Sequence, residues 1–180
     1  HHELTRLHNG NYMVMGIQNV PYRAHAMHDP AGHLVYEGSQ DQPPAPGTAN
    51  SISLRFGTLL EYDREGRLVW SWQLSDYFRN SDLVNYPKPG PAPIVDLHLN
   101  SFFFDEQNNV IYLSLRNVSR IIRISYPDGK VLNAFGERFV PGKPQQENPL
   151  YCGQHSLCLT NDGDLLLFNN NNCRIYQSST

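Results

Sequence analysis

The sequence predicts an all-β protein, a β-propeller of four-stranded antiparallel blades, and three observations carry that expectation. Hairpin patterns recur in order, no 3.6-residue helical periodicity competes with them, and two segments opening on histidine repeat one another in register. His2 begins HELTRLHNGNYMVM and His155 begins HSLCLTNDGDLLLF, with Asn9-Gly10 and Asp162-Gly163 at the same offset. His98 opens a looser third copy, HLNSFFFDEQNNVIYLSL, whose Asn108-Asn109 turn arrives three residues later. Strand pairs with a polar turn at a fixed offset are how a propeller blade or β-solenoid coil reads in sequence.

The first hairpin runs from Leu4 to Gly16 around Asn9-Gly10, a dipeptide that supplies the positive φ of a tight turn. From Gln18 to Phe56 few apolar residues recur with any period. Gln42-Pro43-Pro44-Ala45-Pro46-Gly47 suits neither helix nor central strand, so an irregular excursion is expected there. The second hairpin joins Thr58–Tyr62 to Arg67–Trp72 around Asp63-Arg64-Glu65-Gly66, with aromatics alternating as a half-buried sheet requires. Together the two hairpins make blade 1, about residues 1–74, with a long insertion at 17–56.

Ser75 to Pro93 reads as a second irregular stretch, and then the order repeats. Blade 2, about 94–136, pairs Leu97–Phe104 with Val110–Leu115, and Arg120–Tyr126 with Lys130–Phe135 around Pro127-Asp128-Gly129. Blade 3, about 151–180, is partial: Ser156–Thr160, Asp164–Phe168 and part of a third strand, Arg174–Gln177. A closed propeller needs at least about four blades. Residues 1–180 are therefore expected to be a partial propeller domain, its ring completed by further blades of a longer chain or by a homo-oligomer.

Composition narrows the function. Charged residues make up 17% of the chain and the net charge is −3, so the basic stripe that nucleic acid or an anionic membrane surface would select is missing. The longest apolar run, Val110 to Leu115, is too short to span a bilayer. Cys152, Cys158 and Cys173 form no CxxC, which removes a zinc knuckle. Cys152 and Cys158 bracket His155 and suit either a disulfide in an oxidising compartment or two small core residues. Asn117-Val118-Ser119 fits a glycosylation sequon, a pattern frequent by chance.

In a propeller the first strand of each blade lies nearest the axis, so His2, His98 and His155 are expected to ring one mouth of the channel. Asn100 lies two residues beyond His98, on the same face of a regular strand. Arg116 ends the next strand, and an antiparallel return brings it back beside His98. Three imidazoles, a carboxamide and a guanidinium without a carboxylate suit an oxyanion with several oxygens. Three histidines also make a zinc ligand set, but Arg116 would repel a cation, so no metal and no cofactor is expected. His1-His2 reads otherwise as the remnant of a purification tag, although the register match speaks for His2. The cluster of His25, His28 and His33 reads as loop surface, and Asn169 to Asn172 as a structural polar turn.

These residues resemble the bacterial aryl-sulfate sulfotransferases, six-bladed propellers that do not use the nucleotide sulfate donor. The similarity rests on an ordered set: His1-His2-Glu3, Leu7 to Tyr12, His98-Leu99-Asn100-Ser101, Leu115-Arg116-Asn117, Gln154-His155, and Leu166 to Arg174. Ser156 stands where members often carry an acidic residue. The resemblance implies transfer of a sulfuryl group from a phenolic sulfate ester to a phenolic acceptor, with His155 as the nucleophile. It implies that His2, His98, Asn100 and Arg116 hold the sulfuryl oxygens, and an extracytoplasmic location. Imidazole titrates near neutrality, so His98 or His2 can protonate the departing phenolate. The other reading is a non-catalytic propeller that binds an anionic or aromatic ligand or a protein partner.

Overall fold

A computed structural model describes residues 3–28, 30, 34–39, 51–78, 96–136 and 150–171. The described residues are all-β apart from two single 3₁₀ turns, Leu74–Asp76 and Arg116–Val118. The first sheet, labelled blade 1 after the expected propeller, runs through β1 (Leu4–Arg6), β2 (Tyr12–His28), β4 (Ser51–Tyr62) and β5 (Leu68–Gln73), hydrogen-bonded in the order β1-β2-β4-β5, and the other two sheets are labelled in the same way. Blade 2 is β6 (Leu99–Asp105), β7 (Val110–Leu115), β8 (Arg120–Ser125) and β9 (Val131–Gly136), in sequential order. Blade 3 contributes β10 (His155–Leu159) and β11 (Leu165–Phe168). All pairings between these strands are antiparallel.

The excursion expected from Gln18 to Phe56 is largely regular strand. β2 continues to His28 and β4 begins at Ser51, the two pairing from Tyr12↔Tyr62 through Arg23↔Ser51, while β3 (Leu34–Ser39) pairs with the far end of β2. The exposed Asn19, Pro21, Ser53 and Arg55 alternate with the buried Tyr22, Leu54 and Phe56, so this part of the ribbon is half-buried with a period of two that runs over only a few residues. The proline-rich run 42–47, the stretch 79–95, the third strand expected at Arg174–Gln177 and the expected site residue His2 lie outside the described residues.

Blade 2 is covered on both faces, which is why β7 is buried along its whole length. Ile111, Leu113 and Leu115 join Met13, Leu54, Phe56 and Leu59 of blade 1 in one apolar cluster. The alternate residues Val110 and Tyr112 pack with Ile121 and with Leu157 of blade 3 in a second. Period-two alternation thus sends successive side chains of one strand into different inter-blade cores. Blade 1 is also fastened to the β8–β9 turn. Trp70 Nε1 donates to the carbonyl of Pro127 at 2.7 Å, Trp72 Nε1 to that of Gly129 at 2.9 Å, and the Tyr126 hydroxyl to buried Glu61 at 2.7 Å. The Glu61 carboxylate also accepts from Asn11 Nδ2 at 2.7 Å, so a buried charge is stabilised by the donors around it. Burial, followed by the Glu61 carboxylate, pushes the Tyr126 hydroxyl well above its ordinary value.

Candidate active site

The segment that carries His155 is held against blade 2 by the residue before it. Gln154 is fully buried, and its Nε2 lies 3.1 Å from Ser114 Oγ, 3.2 Å from the Leu115 carbonyl and 3.1 Å from the Arg120 carbonyl. Its backbone carbonyl accepts from Asn100 Nδ2 at 2.7 Å. Gln154 therefore ties the start of β10 to the ends of β6 and β7, where Asn100 and Arg116 reside.

His155 is half-buried and opens β10 as the sequence suggests. Its Nδ1 is 2.7 Å from Asn170 Nδ2 and 3.2 Å from the Gly153 carbonyl. Asn170 Nδ2 itself donates to that same carbonyl at 2.6 Å. Among the described residues no hydrogen bond engages Nε2, so the ring is fixed by one nitrogen and presents the other. Asn169 reinforces the loop, its Oδ1 accepting from the backbone of Cys152 at 3.0 Å and of Asn171 at 2.9 Å. The asparagine run is structural in the sense expected, but Asn170 reaches the imidazole itself, a role the sequence reading missed. The antiparallel return of β11 beside β10 was the signal that could have found it.

His98 immediately precedes β6 and has φ 53°, in the left-handed region. Beyond it a bulge shifts the register between Leu99 and Ser101. The assumption that His98 and Asn100 share a strand face fails here, because a bulged, left-handed start suspends period-two alternation. Asn100 is buried and directed to Gln154, and its Oδ1 has no hydrogen-bond partner. In blade 3 the left-handed residue is Ser156, with φ 53°, one place after the histidine. The two histidines thus stand differently around their kinks, despite the matched sequence.

Arg116 returns beside His98 as expected: its backbone N–H donates to the His98 carbonyl at 3.0 Å, and its Nη1 lies 3.2 Å from Asn117 Oδ1. The Asn117 amide donates in turn to the Asp96 carbonyl at 2.9 Å, so the sequon side chain is engaged inside the fold. The expected absence of a carboxylate needs correction. Asp96 accepts from the His98 backbone at 2.7 Å, its Oδ2 lies 3.8 Å from His98 Nδ1, and Arg55 Nη1 lies 3.6 Å away. An Asp two residues before a histidine is placed to make such a local turn. Ile17, Arg55, Phe56, Gly57, Asp96, His98 and Leu99 line a small open cleft of about 80 Å³. No group of three or more His, Cys, Asp or Glu suited to a metal occurs among the described residues.

Glu3 anchors the chain that follows His1-His2. Its Oε2 accepts the backbone N–H of Phe102 in β6 at 2.7 Å, joining the start of blade 1 to the edge of blade 2. Burial raises its pKa, and the hydrogen bond from Phe102 opposes that only in part. Cys152 is disulfide-bonded and Cys158 is free, so a bridge between those two does not form.

A family model described as Arylsulfotransferase (ASST) matches residues 1–180. No curated protein and no solved structure matches the chain.

Proposed function

The chain belongs to the arylsulfotransferase family, and from that premise we propose that it moves a sulfuryl group from a phenolic sulfate ester to a phenolic acceptor through a covalent intermediate on His155. The observation that carries this reading is the setting of the imidazole. Nδ1 is engaged by Asn170 and Gly153, which leaves Nε2 without a hydrogen bond among the described residues. A nucleophile needs such a nitrogen, held in orientation from behind.

In the first step the Nε2 lone pair forms a bond to sulfur while the sulfur–oxygen ester bond breaks, its electron pair leaving with the phenolate. In the second, the oxygen of an acceptor phenol attacks the same sulfur, returns the pair to Nε2 and gives up its proton. Sulfuryl transfer, like phosphoryl transfer, depends on alignment and on charge stabilisation at the spectator oxygens. Arg116 supplies a permanent cation for them, with His2, His98 and Asn100 completing the set. Asn100 contributes through the second hydrogen of its Nδ2 and through the loop it supports, the first being given to the Gln154 carbonyl. Asp96 beside His98 suits that imidazole to exchange protons with the departing and arriving phenols.

The disulfide at Cys152 favours an oxidising, extracytoplasmic setting. Exposed Leu166 and Phe168 on β11 favour further strands covering blade 3 within a closed six-bladed propeller.

Intact-mass analysis of the full-length protein, mixed with 4-nitrophenyl sulfate and no acceptor and rapidly quenched, tests the reading. The wild type should gain one sulfuryl group and release nitrophenolate, and His155→Ala should do neither. Wild-type protein that never gains the mass points to direct transfer or to a binding module instead.

A further inference from the structure

The contacts of Asn170 bear on which nitrogen of His155 carries the proton. The Gly153 carbonyl is an acceptor only, and Asn170 approaches it at 2.6 Å, so the NH₂ end of the amide faces it. That same nitrogen lies 2.7 Å from His155 Nδ1. An amide nitrogen has two hydrogens, one for each of these partners. With one hydrogen given to each, Nδ1 offers its lone pair and the neutral ring carries its hydrogen on Nε2.

In that tautomer Nε2 is a donor, suited to hold a sulfuryl oxygen but not to attack sulfur. Attack requires the proton on Nδ1, where the Gly153 carbonyl, 3.2 Å away, is placed to accept it. We propose that Asn170 is a positioning residue that holds His155 in the Nε2–H tautomer when the site is empty, and that donor binding exchanges this for the Nδ1–H tautomer bonded to Gly153. Nδ1 takes up a proton from solvent water, Nε2 releases one to it, and the Asn170 amide turns away from the ring. Nε2 then forms the nitrogen–sulfur bond while the phenolate departs with the ester electron pair. The consequence for catalysis rests on His155 being the nucleophile; the tautomer assignment does not.

The test combines two readouts on the full-length protein. Two-bond ¹H–¹⁵N spectra of histidine-labelled protein should show His155 as the Nε2–H tautomer in the wild type. They should show Nδ1–H in Asn170→Ala, where Gly153 is the remaining partner, and in the isosteric, acceptor-only Asn170→Asp. Single-turnover sulfuryl uptake by Asn170→Ala should be faster, by up to about fivefold, the weight of one neutral hydrogen bond. An Nδ1–H wild type, or variants whose tautomer does not move, overturns the assignment. A shifted tautomer with slower uptake overturns the gating role. If wild-type protein takes up no sulfuryl group, the proposed function fails, and the spectra still decide the tautomer.

Discussion

The side-chain amide of Asn100 donates to the backbone carbonyl of Gln154 at 2.7 Å, joining two buried residues across blades 2 and 3. The residue before His155 is thereby fixed by a side chain that the proposed function also uses at the sulfuryl group, and on that proposal one carboxamide couples support to chemistry.

Asn100→Ala should therefore lower stability and transfer together. Removing the donor leaves the Gln154 carbonyl with only a 3.5 Å approach from Ser114 Oγ, and an under-satisfied buried acceptor costs about 1–3 kcal/mol. Thermal unfolding and rapid-quench mass analysis on the same preparation should both fall. Unchanged melting would show that the bond carries no net weight.

Arg116→Lys should fold normally and react slowly. Lysine keeps the charge but loses the planar fork that matches sulfuryl oxygens, so uptake from an aryl sulfate should drop about 10²- to 10³-fold if the fork acts like one oxyanion donor. Single-turnover kinetics measure this. A rate within a factor of three of wild type would remove Arg116 from the charge-stabilising set.

Glu3→Gln should make stability less dependent on pH. Burial raises the folded pKa of Glu3 above its ordinary 4.5, so protonation favours the folded state. The contribution is present below the unfolded pKa and is lost as pH rises through the folded one. Glutamine keeps an oxygen for the Phe102 N–H and cannot ionise. The melting temperature of the variant relative to wild type should thus climb as pH is raised from about 4 toward neutrality, and a gap that narrows instead contradicts the assignment.

Most of the strand framework was legible because it is written in local chemistry. Asn9-Gly10 and Pro127-Asp128-Gly129 mark turns, and the run Val110 to Leu115 marks a strand buried on both faces. The full reach of the β2–β4 ribbon was not, because the alternation of buried Leu54 and Phe56 with exposed Ser53 and Arg55 covers only a few residues of a polar, proline-containing segment. The geometry around the expected site residues was not legible. The left-handed turn at His98, the bulge after it and the reach of Asn170 across a hairpin depend on backbone details that identical letters do not encode. Asp96 escaped notice because its role comes from a turn rather than a repeat.

Gly57→Ala should destabilise the contact between blades 1 and 2. A Cβ there would fall 2.4 Å from Leu99 Cβ, an atom that no rotamer change moves, so the backbones must separate. Overpacking of this kind costs about 1–3 kcal/mol. Leu99 directly follows His98, and the loss should be accompanied by weaker uptake from aryl sulfates. Denaturant unfolding and steady-state kinetics check the two halves.

The disulfide at Cys152 has a practical consequence for anyone handling the protein. It sits two residues before Gln154 and three before His155, in the same short loop that Asn169 and Asn170 brace. Dithiothreitol, added by habit to protect a free thiol such as Cys158, would cut the covalent tether three residues before His155. On the proposed function, a preparation made that way is expected to elute as folded protein and to have lost sulfuryl uptake.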